Sequence, residues 1–446
     1  MYTSYVHRHK PVLLNTYDAS LVPDLYRYLR KFVVHPDPMT FDEYIESMDT
    51  PSKRKFYRDN YEFMLHLGRY KTGVVPFNKI EKMGISLSKP GDVPITAKPG
   101  RLIQARHPTF NLMFGRYIKA IEYQMARDPY LAGFFGKGNY DQIAAKIDKL
   151  RARYSHYTEV DHKAFDAHVT QALLKLSHKF YEACFPWSSE LRELCKAQLR
   201  NRCESRHGNK YTTDGTRQSG DVDTSLGNSL VNYAILKYCL HKLGLKGEVI
   251  VCGDDSIIFT NEPINLDRFR VLCAQLNMET EVKPSTTNIH QVDFCQCRFV
   301  YNSTGSPTMI KNPERLNDIF GMAYSCKPQD YGRYLSEIAY CNAMMNKSSD
   351  LGRTWAEAFG VDITKPRELK YIDAQMRYEM LRVCFDTPLD IGGPTQSYYE
   401  AYPDYDEQVA RTYRIGKLVA QKKYTTSMTV PYNVVLSHEA KYFSVC

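Results

Sequence analysis

The chain has no apolar run approaching eighteen residues, so nothing in it reads as a transmembrane span. Its N-terminus, MYTSYVHRHKPVLL, carries charges but lacks the long apolar core and small-residue cleavage site of a signal peptide. Twelve cysteines are scattered without a framework. No CxxC pair occurs, the nearest spacing is Cys295-x-Cys297, and Cys203 with His207 has no second half at zinc-site spacing. That argues against structural zinc and for reduced thiols in an intracellular setting. The glycine-rich stretch Gly133-Phe134-Phe135-Gly136-Lys137-Gly138 lacks P-loop spacing and reads as a flexible or backbone-approach loop. Repeats and low-complexity tracts are missing as well.

What remains is an ordinary globular balance, 43% hydrophobic and 24% charged, over 446 residues. That length exceeds one comfortable core and predicts two or three subdomains. The net charge is +9, with basic residues clustered in the first 120 positions. Such a balance favours a polyanionic partner, nucleic acid foremost, although a plain basic soluble protein would share it. The 34 tyrosines can stack on bases or fill cores.

Glu248 to Thr260, EVIVCGDDSIIFT, is the stretch around which the rest is organised. Val249-Ile250-Val251 and Ile257-Ile258-Phe259 read as two buried strands joined by the turn Gly253-Asp254-Asp255, a β-hairpin. Its tip would hold two adjacent carboxylates, the oxygen ligands that hard divalent cations take. Gly and Asp also suit any hairpin turn. The triplet arises by chance in roughly one chain in ten of this length, so it needs company.

Company lies on either side. Ser20 to Phe32 predicts a helix with Leu25, Tyr28, Leu29 and Phe32 as its apolar face, and Pro51 opens another, continued by Tyr61, Phe63, Met64 and Leu67. The basic run Lys53 to Lys55 reads as a solvated face or a nucleic-acid contact. Lys98, Arg101 and Arg106 punctuate an extended, proline-broken segment. Side-chain alternation there sets Arg101 and Ile103 on one face, Leu102 and Gln104 on the other. Forked cations of this kind suit a triphosphate, or a basic surface loop. A helix follows from Asn111. Thr158 to Asp161 predicts a strand ending at Asp161, with Asp166 near the start of the next helix, where a carboxylate also caps exposed N–H groups. Ser219-Gly220 is a loop feeding a helix to about Leu243, closed by Gly244, with Thr224 and Asn228 four apart on one face. A helix Leu266 to Leu276 ends at Asn277 as C-cap, and a strand leads to Lys283. Val292 to Val300 alternates as part of a second hairpin. Beyond Lys311 the pattern is mostly helical, with a break at Gly392-Gly393-Pro394.

In this order the motifs resemble the palm of viral RNA-dependent RNA polymerases, closest to those of tombusviruses and related plus-strand RNA viruses, over roughly residues 50 to 320. Asp161-xxxx-Asp166 is similar to their first palm motif. Ser219-Gly220-xxx-Thr224-xxx-Asn228 matches the second, and RQSGDVDTSLGN is very near the tombusvirus wording. Gly253-Asp254-Asp255 matches the third, Lys283 the lysine of the fourth, and Phe294-Cys295-Gln296 the primer-gripping fifth. KPGRLIQAR, with Lys98, Arg101 and Arg106, resembles the basic fingertip motif. The chain departs from the tombusvirus wording at Lys163-Ala164 and at Ala105.

The resemblance implies an α+β right hand: fingers over 1–152, palm over 153–305 with a fingers excursion at about 185–216, and thumb over 306–446, the palm an antiparallel sheet packed on helices. It implies template-directed RNA synthesis from ribonucleoside triphosphates for viral genome replication. Two Mg²⁺ ions, with Mn²⁺ as a substitute, would be held by Asp161, Asp254 and Asp255. Asp166 with Asn228, helped by Ser219 or Thr224 beside Gly220, would read the ribose 2′-hydroxyl. Lys98, Arg101 and Arg106 would hold the triphosphate, and Lys283 would protonate the leaving pyrophosphate. Expected partners are RNA template and product strand, ribonucleoside triphosphates, other viral replicase proteins and, through them, host membranes. The expected place is the host cytoplasm, at membrane-associated replication complexes. The family usually carries an N-terminal membrane-associated region that this sequence does not show, so the chain can be read as the catalytic part alone. A reverse transcriptase would share the paired aspartates without the sugar-reading pair; a non-catalytic RNA-binding protein would need neither Mg²⁺ nor Asp254.

Overall fold

Three consecutive fully buried residues in a strand require cover on both faces. Val249, Ile250 and Val251 are buried, and so are Ile257, Ile258 and Phe259. In a computed structural model, which describes residues 1–79, 81, 100–323, 326–383 and 392–424, these runs are the strands Gly247–Cys252 and Asp255–Thr260 of one four-stranded sheet. The order is Gly247–Cys252, Asp255–Thr260, His156–His162, Thr280–Val282, and every neighbour is antiparallel. The helix Thr224–Lys242 packs on this sheet and is buried on nearly every side, from Leu226 through Leu240. It ends at Gly244, whose φ of 69° is the left-handed conformation of a helix stop.

The chain forms two compact units. The first gathers residues 1–80, 96–136 and 154–287. Besides the acidic sheet it holds a second one, ordered Leu102–Arg106, Val74–Asn78, Arg200–Glu204, Lys210–Asp214. The stretch between the helices Gln171–Cys184 and Thr224–Lys242 thus leaves the acidic sheet, and Cys203 pairs in parallel with Val74. Phe134 and Gly136 hydrogen-bond Val251 through their backbones, so the glycine-rich loop caps the sheet edge. The second unit gathers 81–95, 137–153 and 288–446. Its described part holds a three-stranded sheet, Asp293–Phe294, Cys297–Tyr301 and Pro307–Lys311, and helices including Tyr140–Arg151, Tyr331–Met345, Asp350–Phe359 and Tyr405–Ala420. No helix among the described residues is long and apolar enough to cross a membrane, and the cysteines among them are free thiols.

Two local expectations change. Ser20 to Phe32 forms short 3-10 turns rather than one α-helix, yet Leu25, Leu29 and Phe32 are buried as the spacing implied. The helix Pro51–Leu67 buries only Met64 fully and exposes Phe56 and Phe63. Its basic run is matched by acids, Lys53 by Asp49 at 2.9 Å and Lys55 by Asp59 at 2.8 Å, the solvated-face alternative.

Asn277 illustrates how sequence and tertiary demands coincide. It takes the left-handed φ of 65° after the helix Leu266–Gln275, a conformation asparagine tolerates. Its buried amide then donates to Val12 O at 2.8 Å and His168 O at 2.7 Å, and accepts from Leu14 N at 2.8 Å. Asn277→Ala should lower stability by about 1–3 kcal/mol, because those backbone groups lose their partner. A fall in the urea unfolding midpoint at unchanged slope checks it.

Candidate active site

The hairpin register decides where the acids go. Cys252 pairs with Asp255, so Gly253 and Asp254 form a two-residue turn. Gly253 has a φ of 64°, which a side chain rarely adopts and which suits the first central position of a tight hairpin. Val160 pairs with Ser256 on the neighbouring strand, which sets Asp161 opposite Asp255. Asp161, Asp254 and Asp255 are therefore brought together at one end of the sheet. The charge of Asp161 reaches the other two, raising the pKa of both Asp254 and Asp255.

All three carboxyls titrate above their usual range. Burial of the carboxyl is the largest cause for each. For Asp255, pushed up to about 7, Asp254 follows as the next cause. The turn residues are nonetheless exposed over their surface as a whole. At the turn, adjacent carboxylates also oppose one another's ionisation. Two cations answer this charge. Arg101 draws down the pKa of Asp161, Asp166 and Asp254, and Lys283 that of Asp161. Lys283 also bridges to Glu159 at 2.9 Å. Glu281, which pairs with Asp161 across the edge strand, adds a further negative charge.

This donor set suits a hard divalent cation. Among the described residues, no three acidic, histidine or cysteine side chains converge as a ready-made cage. Mg²⁺ does not ask for one: it takes one or two carboxylates and fills its shell with water and phosphate oxygens.

Beside the acids, Asn228 Nδ2 donates to Asp166 Oδ1 at 2.7 Å. Burial raises Asp166 to about 6, and the hydrogen bond from Asn228 works against that rise. The amide cannot turn over, because Arg217 Nε donates to Asn228 Oδ1 at 3.0 Å. Arg217 is buried, with its Nη1 on Asp223 Oδ2 at 2.6 Å. Tyr181 and Gln198 also donate to Asp223, at 2.9 Å each. Gly227 makes the room: a Cβ there would stand 2.4 Å from Arg217 Nη2.

Three expectations for this site are corrected. Arg106 does not face a triphosphate. It is buried, and its fork grips Asp221 with two 2.9 Å bonds while Nη1 donates to Thr72 O at 3.1 Å. The strand Leu102–Arg106 explains why: Leu102, Gln104 and Arg106 share the buried face, and Arg101 belongs to the other. Ser219 does not present its hydroxyl to a sugar. It accepts from Gln104 N and donates to Leu102 O, both at 3.0 Å. Gly220 N donates to Gln104 O at 3.1 Å, and a Cβ on Gly220 would meet that same carbonyl oxygen at 2.7 Å. Thr224 Oγ1 donates to the carbonyls of Gln218 and Asp221, both at 2.9 Å. These residues shape the loop, and of the expected sugar-reading set Asp166 and Asn228 are the two joined side chain to side chain among the described residues. Lys98 lies outside the described residues.

Phe294, Cys295 and Gln296 belong to the second unit. Phe294 is buried, and Cys295 and Gln296 form a two-residue turn at φ 52° and 60°. Two successive non-glycine residues at left-handed φ are uncommon, and such strain concentrates at functional sites.

Sequence reading missed the parts that hold the site. Ser229 Oγ accepts from Gly253 N at 2.8 Å, and Asn232 Nδ2 donates to the carbonyls of Gly253 at 3.2 Å and Asp254 at 3.1 Å. Asn232 continues the four-residue spacing of Thr224 and Asn228, which was a usable signal. Arg217, Asp221 and Asp223 were signalled by three charges crowded ahead of an apolar helix.

Residues 19–371 match the family model described as viral RNA dependent RNA polymerase. The chain belongs to the viral RNA-dependent RNA polymerase family. The RNA-directed RNA polymerase of Panicum mosaic virus is 30% identical over 250 residues, 53% of this chain and 24% of that protein. That of Groundnut rosette virus is 31% identical over 247 residues, 52% of this chain and 29% of the relative. That of Turnip crinkle virus is 30% identical over 257 residues, 54% and 32%. The chain of this family member therefore spans about a quarter to a third of the length of these relatives.

In this polymerase-family chain the Arg217–Asp223 pair is buried on both sides. Arg217→Met should destabilise it by about 3–5 kcal/mol, because Asp223 is left as a buried carboxylate without its ion partner. Denaturant unfolding of the variant beside Arg217→Met/Asp223→Asn, which should recover part of the loss, checks this.

Proposed function

We propose that this chain is a template-directed RNA-dependent RNA polymerase of a plus-strand RNA virus, joining ribonucleoside triphosphates to an RNA 3′-hydroxyl. The observation that carries the reading is the pairing of the Asp161 strand with the Asp254–Asp255 hairpin, with the Asp166–Asn228 hydrogen bond beside it.

In this reading Asp161, Asp254 and Asp255 hold two divalent ions, Mg²⁺ with Mn²⁺ as a substitute. When bound, such ions activate the attacking hydroxyl and neutralise the departing pyrophosphate. The protein's own groups supply the rest. Arg101, close to the acids, orients triphosphate oxygens. Lys283 donates the proton that the pyrophosphate needs. A 2′-hydroxyl is both donor and acceptor, so it can bridge the Asp166 carboxylate and the Asn228 amide, and a deoxyribose can do neither. The turn at Cys295–Gln296 is assigned to the primer strand. The layout follows the right hand, with fingers over 1–152, palm over 153–305 and thumb over 306–446. The work is placed at membrane-associated replication complexes in the host cytoplasm, with RNA template and product and other replicase proteins as partners.

Purified protein, a short RNA template, labelled ribonucleotides and Mg²⁺ test the core of it. Asp254→Ala should reduce product by several orders of magnitude, and product equal to wild type would remove the mechanism. In the same assay Asn228→Ala should narrow the preference for ribo- over deoxynucleotides by about tenfold or more, the scale of one lost charge-assisted hydrogen bond. An unchanged ratio takes the sugar-reading role away from this pair.

A further inference from the structure

His162 stands one residue beyond Asp161, at the end of the strand His156–His162. Alternation sends the two side chains to opposite faces, and Asp161 is exposed while His162 is only 3% exposed. The buried ring meets two partners. Nε2 lies 3.0 Å from Asn232 Oδ1, and Nδ1 lies 2.8 Å from Thr280 Oγ1 on the neighbouring edge strand.

The direction of the bond between His162 and Asn232 is determined. Asn232 gives its Nδ2 hydrogens to the carbonyls of Gly253 and Asp254. A flipped amide would set oxygen against both carbonyl oxygens, so Asn232 Oδ1 must be the atom facing His162. An amide oxygen only accepts, so Nε2 carries the hydrogen. The other ring nitrogen, Nδ1, meets the Thr280 hydroxyl, which also reaches Met278 O at 3.4 Å. The chain runs Thr280 to His162 to Asn232 to the two carbonyls of the acidic turn. It begins on the edge strand, passes through the strand that bears Asp161, crosses to the helix Thr224–Lys242, and ends on the backbone of Asp254.

We infer that His162 is a positioning residue: through Asn232 it fixes the acidic turn relative to the strand that carries Asp161. The ladder between His156–His162 and Asp255–Thr260 sets the register of the two strands, but Asp254 lies beyond the last rung. Its carbonyl is held instead by Asn232, and the orientation of Asn232 is set by His162. Misplacing a reacting group by about 1 Å can cost on the order of 100-fold in rate, so a tie this local acts on turnover more than on nucleotide affinity.

The inference rests on the polymerase reading for its activity arm, and a second arm stands apart from it. His162→Phe keeps ring and volume but loses the donor; His162→Gln keeps a donor toward Asn232; Asn232→Leu leaves His162 in place and removes the contact with the turn. In RNA synthesis His162→Phe and Asn232→Leu should lower kcat about 10- to 100-fold with KM for nucleotide changed less than about threefold, and His162→Gln should recover most of the loss. In hydrogen exchange on the full chain, the Gly253 and Asp255 amides should exchange faster in His162→Phe and Asn232→Leu, with the strands of the second sheet unchanged. Wild-type kcat in folded His162→Phe, or turn exchange unchanged in both His162→Phe and Asn232→Leu, overturns the inference. Should His162→Phe fail to fold, Asn232→Leu and His162→Gln decide it alone. A wild-type protein that makes no RNA defeats the polymerase reading instead, and the exchange arm still judges the tie.

Discussion

One strand pairing governs this molecule. His156–His162 lies antiparallel to Asp255–Thr260 with Val160 opposite Ser256, and that register alone sets Asp161 across from Asp255. A slip of one residue would turn every side chain of the strand to the other face. Asp161 would point into the helix layer, and the buried Val160 would come out to water. The register is protected by the strand His156–His162 itself, where Tyr157, Val160 and His162 are buried and Asp161 is exposed. The carboxylates are thus placed by hydrophobic burial several residues away, and their mutual repulsion is tolerated because the burial outweighs it.

A second set of interactions is polar and just as buried. Arg106, Asp221, Arg217 and Asp223 form two ion pairs bridged by Gln198, whose amide donates to both aspartates. Burying charge is costly unless each charge has a partner of good geometry, and here each has several. What the arrangement brings is direction. Arg217 leaves Asn228 one orientation, and Arg106 ties the loop before the helix to the strand Leu102–Arg106. In the proposed reading the side chains that would face a nucleotide are few, and Arg217, Asp223 and Gln198 hold Asn228 among them in place.

Much of this was legible in the linear sequence where the cause is local. The hairpin at Gly253-Asp254, the strand ending near Asp161, the helix from Thr224 with its stop at Gly244, and the left-handed Asn277 all follow from short-range apolar runs and turn chemistry. The face of Arg106 was legible too, by the same alternation that separated Arg101 from Leu102. Its charge drew attention to phosphate, whereas its parity placed it with the buried residues. The jobs of Ser219 and Thr224 could not be read, because their partners are backbone carbonyls or amides brought near only by the fold. The same holds for Arg217 and Asn232. A charged or amide side chain reads as surface until its partner is seen, and both are buried.

The second sheet carries a consequence for how the chain is made. Its strands Val74–Asn78 and Leu102–Arg106 can pair with each other early, but the next neighbour, Arg200–Glu204, emerges about 100 residues after Arg106. At ribosomal speeds of about 5–20 residues per second, the open edge of Val74–Asn78 waits on the order of 10 s for its partner. An unpaired edge is a template for unwanted pairing with other chains. Faster or slower translation across residues 107–200 should therefore shift the share of nascent chains that aggregate, with no change to the finished fold.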